Sequence, residues 1–115
     1  MTVKNCINYG RVSHSGTASR SAAIGGIVGK PYSGSSMNKY IQNCLNYGVI
    51  NGTGSSGALY IGGIVGYGTN ISLINSLSAG LIKSSITRTT GSVVGYVSSS
   101  NTNATHCLWT GGFWI

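Results

Sequence analysis

The chain has 115 residues, the length of one domain, and carries seven Lys and Arg against no Asp or Glu, for a formal net charge of +7. The missing carboxylates exclude acid/base pairs, a calcium cage and any Asp to orient a histidine. Its 19 glycines stand in a chain that is 41% hydrophobic, unlike ordinary disordered segments, and no apolar run is long enough for a membrane-spanning helix.

In chain order, the first element is Val3-x-x-Cys6-Ile7, followed by Asn8-Tyr9-Gly10 and then Val12. A polar stretch from Ser13 to Ala23 reads as a linker, and Ile24-Gly25-Gly26-Ile27-Val28-Gly29 follows it. After a second linker, Lys30 to Tyr40, the first block returns as Asn43-Cys44-Leu45-Asn46-Tyr47-Gly48. Asn51 to Ala58 is again a linker, and the second block returns as Ile61-Gly62-Gly63-Ile64-Val65-Gly66. Asn75-Ser76-Leu77-Ser78-Ala79-Gly80 and Thr90-Gly91-Ser92-Val93-Val94-Gly95 are weaker third copies. Past the linker Ser98 to Ala104, His106-Cys107-Leu108-Trp109-Thr110-Gly111 repeats the first block a fourth time without its partner block.

The spacing from Cys6 to Cys44 is 38 residues, from Cys44 to Ser76 is 32, and from Ser76 to Cys107 is 31. This gives three units, 3–40, 41–72 and 73–103, and a half unit, 104–115, within one repeat domain. A period in the thirties marks a solenoid or array. The β-branched pairs bracketed by glycine favour short strands and tight turns, and no stretch carries a helical apolar stripe. The reading is all-β: a parallel β-solenoid of three and a half repeats, with one coil or two per unit left open. Stacking would place Ile7, Leu45, Leu77 and Leu108 in one apolar interior column, and Ile27, Ile64 and Val93 in another. Asn5 and Asn43, ended by His106, and Asn8 with Asn46 would form side-chain ladders.

The Gly-Gly-Ile-Val-Gly block followed by Tyr67 or Tyr96, a polar loop and Ile-x-Asn-Cys-x-Asn-Tyr-Gly-x-Ile resembles the GLUG-type repeats. The resemblance spans almost the whole chain. It implies the elongated, passive part of a secreted or surface protein, adhesin-like proteins among them, and so an extracellular or cell-surface location. It carries no catalytic motif. The total lack of acidic residues departs from the pattern.

Cys6, Cys44, Ser76 and Cys107 share one repeat position and are expected to form one inward column. Three stacked reduced thiols, or one bridge between adjacent copies, would both fit, although parallel side-chain vectors suit a disulfide poorly. His14 and His106 add no zinc-ligand pair at finger spacing. His106 and Cys107, as strand neighbours, would face opposite ways, so no Cys-His dyad is expected. The expectation is a non-enzyme with no metal and no cofactor.

Lys4, Arg11, Arg20, Lys30, Lys39, Lys83 and Arg88 stand singly. The charge invites an adhesive role toward anionic polysaccharide or a host surface, but with no basic run nucleic acid is not expected. Tyr9 with Tyr47, and Tyr67 with Tyr96, are expected to stack as ladders. The alternative is exposed rings that stack on sugars. Asn51, Asn70 and Asn103 head glycosylation acceptor patterns that matter only in a secretory-pathway eukaryote. The first twenty residues hold no signal-peptide-like apolar stretch.

The repeat offers no polar cap, and it closes on Leu108-Trp109-Thr110-Gly111-Gly112-Phe113-Trp114-Ile115. That aromatic tail reads either as a plug over its own last coil or as an adhesive end, and truncation of a longer chain is a third reading. In the adhesive case Trp109, Phe113, Trp114 and Ile115 form the assembly interface. Protomers then join head to tail as a homo-oligomer or fibre.

Overall fold

A computed structural model describes residues 1–15, 21–31, 38–53, 58–85, 90–98 and 101–111, with the backbone alone at 113–114. The chain winds through coils stacked in parallel. The first coil holds β1 (Thr2–Lys4), β2 (Ile7–Asn8), β3 (Val12–His14) and β4 (Ala22–Gly25). The second holds β5 (Lys39–Gln42), β6 (Leu45–Asn46), β7 (Ile50–Gly52), β8 (Leu59–Gly62) and β9 (Val65–Gly68). In the third are β10 (Ile71–Ile74), β11 (Leu77–Ser78), β12 (Ile82–Ser84), β13 (Thr90–Gly91) and β14 (Val94–Val97). A fourth, partial coil supplies β15 (Asn103–Thr105), β16 (Leu108–Trp109) and β17 (Phe113–Trp114).

Each strand pairs in parallel with its equivalent one repeat away, giving five parallel sheets. Val3 lies against Ile41, Ile41 against Leu73, and Leu73 against Ala104. One sequence unit is therefore one coil. The protein is a parallel β-solenoid, and its extents of 32 × 30 × 19 Å make it wider than tall.

Four corners of the coil are fixed by chemistry. At the first, Asn5, Asn43, Asn75 and His106 take φ of 58°, 54°, 49° and 52°. Asn and His tolerate this left-handed backbone better than most residues. The residue after each corner turns inward, and its side chain donates to the carbonyl two residues back. Cys6 Sγ reaches Lys4 O at 3.4 Å, Cys44 Sγ reaches Gln42 O at 3.2 Å, and Cys107 Sγ reaches Thr105 O at 3.5 Å. Ser76 Oγ does the same to Ile74 O at 3.0 Å and accepts the Cys44 N–H at 3.2 Å. A small side chain with a weak or strong donor fits this position, which is why Ser can replace Cys there.

At the second corner Asn8 holds its own turn. Asn8 Oδ1 accepts the Gly10 N–H at 2.9 Å, and Asn8 Nδ2 donates to Gly10 O at 2.9 Å. Asn46 repeats both bonds with Gly48, and Asn8 Nδ2 also reaches Asn46 Oδ1 at 2.9 Å. Adjacent coils come so close here that a Cβ on Gly48 would collide with Gly10 O, one on Gly80 with Gly48 O, and one on Gly111 with Gly80 O. The third fixed corner is the second block itself, where a Cβ on Gly62 would collide with Val65 O. Asn70, at φ 52°, turns the second coil directly into β10.

Two apolar clusters fill the coil interior. One contains Ile41, Cys44, Ile64, Val65, Ile71 and Leu73. The other contains Ile50, Leu59, Ile61 and Ile82. Asn46 and Ser78 are also fully buried.

Several sequence expectations need correction. Ile7, Leu45, Leu77 and Leu108 do share a register column, but it faces outward: Ile7 is 53% and Leu108 66% exposed. Cys6 and Ile7 are adjacent in extended chain, so both cannot point inward. With Cys6 inside, the alternation sends Ile7 out and Asn8 in. The linkers are shorter than expected, because Ser13–His14, Ala22–Ala23, Lys39–Tyr40, Asn51–Gly52 and Asn103–Ala104 lie in strands. His106 and Cys107 are parted by the left-handed corner rather than by strand alternation. Lys39 is not a free surface cation: it is buried and Nζ donates to Thr69 O at 3.4 Å.

Candidate functional site: the two coil edges

A stack of parallel coils has two ends, and each presents unpaired backbone. At the lower end the edges of β1 to β4 have no strand beneath them among the described residues. At the upper end the fourth coil covers β10, β11 and β12, and among the described residues no strand covers β13 and β14. There Gly91, Ser92, Val93, Val94, Val97, Thr102, Asn103 and Ala104 line an open hollow of about 280 Å³.

Burial follows position along the stack. Ile64 and Val65 in the second coil are fully buried, whereas Ile27, Val28, Val93 and Val94 in the coils on either side are only partly so. The Cys column behaves alike. Cys44 and Ser76 are 0% and 2% exposed, while Cys6 and Cys107 at the two ends are half-buried against the same cluster. All three thiols are free, and burial pushes the Cys44 thiol up from its ordinary range. Among the described residues no group of His and Cys could hold a metal.

The ends differ in charge. Four of the seven basic residues, Lys4, Arg11, Arg20 and Lys30, precede the second coil, and no Lys or Arg follows Arg88. Trp109 stands over Ser78 in the fourth coil and is 40% exposed. The backbone of Phe113 and Trp114 pairs with Ile82 and Lys83. Their side chains, and the whole of Ile115, lie outside the described residues.

The other expected sites are spread over the coil walls. Tyr9 and Tyr47 stack with centroids 5.4 Å apart and an interplanar angle of 9°. Tyr67 and Tyr96 also meet, at 5.4 Å, but Tyr60 joins them at 4.9 and 5.0 Å and makes a cluster of three rings. Lys30 Nζ lies 4.6 Å from the Tyr67 ring centre. The sequence reading missed Tyr60, because it is not the equivalent of Tyr67 in the repeat but its neighbour across a corner. Tyr32, Arg20 and Arg88 lie outside the described residues. Of the three glycosylation patterns, Asn51 is half-buried in a strand paired on both sides, Asn70 forms the left-handed corner, and Asn103 is exposed in β15.

Comparison with family models, curated proteins and solved structures found no match to the chain.

Proposed function

We propose that this chain is a structural, self-associating β-solenoid that stacks head to tail into an extracellular or cell-surface scaffold. The observation that carries this reading is the state of the two ends. Among the described residues the first and fourth coils present strand edges without a parallel partner, over an apolar interior whose central residues are dry, and unpaired edges are the usual seed of strand addition. The flat shape helps, since the end faces are the broad ones. The resemblance to GLUG-type repeats agrees with a scaffold role at the cell exterior. Light scattering against concentration tests the reading: growing particles support it, and a constant mass of one chain at high concentration refutes it.

A second reading, an adhesive module for anionic polysaccharide, draws support from Lys30 beside the Tyr60, Tyr67 and Tyr96 rings. Cation and rings together offer a face for an acidic sugar. Against it, Lys30 is the one cation at that cluster among the described residues, and Lys39 is buried. Elution from heparin at varied salt separates the two, because only the binding module requires steeply salt-dependent retention.

A further inference from the structure

We infer that the partner of the lower edge is the fourth coil of a second copy, in a register that sets Cys107 of that copy directly beneath Cys6. This rests on the stacking reading above and fixes its geometry. The first observation is Gly10. Gly48, Gly80 and Gly111 must be glycine because the carbonyl of the coil below occupies the space of a Cβ. Within its own chain Gly10 has no such need: a Cβ there would meet only Asn8 Oδ1, at 3.4 Å, an ordinary contact. Its glycine suits a carbonyl arriving from below, and Gly111 of another copy presents the equivalent one.

The second observation is the hydrogen-bond register. Leu45, Leu77 and Leu108 each donate N–H to the carbonyl of the Cys or Ser one coil below, all at 2.9 Å. Asn5, Asn43 and Asn75 each donate to the coil above, all at 3.0 Å. Continuing both series across a junction directs the Ile7 N–H to Cys107 O of the second copy. It directs the His106 N–H of that copy to Lys4 O. The third observation is charge. Head to tail, the basic first coil meets a fourth coil with no Lys or Arg, whereas head to head it would set Lys4 and Arg11 against themselves. The junction engages β15, β16 and β17 beneath β1, β2 and β3. It leaves the hollow over β13 and β14 as a notch one strand thick.

The thiols make this register measurable. Within one chain Cys6 and Cys107 are three coil steps apart, about 14 Å at 4.8 Å per step, beyond the ~7 Å Cα limit for a disulfide. In the Cys44→Ser variant they are the sole thiols, and Ser76 shows that the column accepts serine. The test treats this variant with a diazene oxidant. Two thiols lose two protons and two electrons to form the S–S bond, and the diazene takes them up to become a hydrazine. The expected result is a non-reducing gel ladder extending past dimer and peptides joined 6 to 107, with the ladder gone in either further Cys→Ser variant. Products that stop at dimer through 6–6 or 107–107 bonds overturn the register. Because parallel side-chain vectors suit a disulfide poorly, a short bis-maleimide is run beside the diazene, and association by scattering with no 6–107 link from either reagent also overturns the register. Absence of association overturns the stacking reading itself. If Cys44→Ser fails to fold, mapping 6–107 peptides in the unaltered oxidised chain gives the same decision.

Discussion

Gly10 and Gly48 occupy the same place in the repeat, yet alanine should affect them in opposite ways. At Gly48 the new Cβ would collide with Gly10 O of the coil below. Relief requires the two coils to part. That strains the bonds from the Tyr47 and Gly48 N–H groups to Asn8 O, at 2.8 and 3.2 Å, each worth roughly 0.5–1.5 kcal/mol net. Forced overpacking adds about 1–3 kcal/mol, so Gly48→Ala should cost about 2–6 kcal/mol, much of a small domain's stability. At Gly10 the Cβ meets only Asn8 Oδ1, at 3.4 Å, and the loss of unfolded-chain freedom makes the change neutral or stabilising by up to about 1 kcal/mol. The same Gly10→Ala protein should nevertheless stack poorly, because its methyl would stand where the carbonyl of a second copy arrives. Denaturant unfolding of dilute protein, paired with light scattering of concentrated protein, reads both effects. If Gly10→Ala unfolds as readily as Gly48→Ala, or associates as well as the unaltered chain, the reasoning fails.

Ser78→Ala should raise stability by about 1 kcal/mol, because Ser78 Oγ is buried without a hydrogen-bond partner among the described residues; a lower unfolding midpoint would contradict this. Asn46→Ala should cost about 2–4 kcal/mol in the same assay, since it removes one of the two acceptors of Asn8 Nδ2, frees both ends of the Gly48 turn and empties a fully buried site. In thiol titration of the folded protein, Cys6 and Cys107 should label quickly and Cys44 only on unfolding, because it is fully buried and the thiolate is the reactive form; three equal rates would refute this. Truncation after Thr110 removes the strand paired with Ile82 and Lys83 and should leave short, dispersed particles in electron micrographs where the full chain gives long ones.

The repeat made the solenoid legible, because two alternating blocks with glycine at fixed places can be stacked on paper. The inward Cys column was readable from size alone: Ser76 replacing Cys signals a small, tight position. The Ile7 column was misread because apolar character was taken for burial while the alternation imposed by Cys6 was ignored. The Asn8–Asn46 ladder was legible from their shared place in the repeat, and Asn8 Nδ2 does donate to Asn46 Oδ1; the complete burial of Asn46 was not, because it depends on the bonds its amide makes to the Gly48 turn. The left-handed Asn corners were hidden, since Asn in a Gly-rich chain looks like loop filler. The three-ring cluster escaped notice because Tyr60 belongs to a different sheet from Tyr67, and repeat alignment shows columns rather than neighbours around the coil.

In the proposed stacking, coils continue from one copy into the next. Fibre diffraction from concentrated, aligned protein tests it most directly. Continuous stacking predicts a meridional reflection near 4.8 Å, the spacing between paired strands along the filament, from particles many chains long. Isolated single chains with no such axial repeat would contradict it.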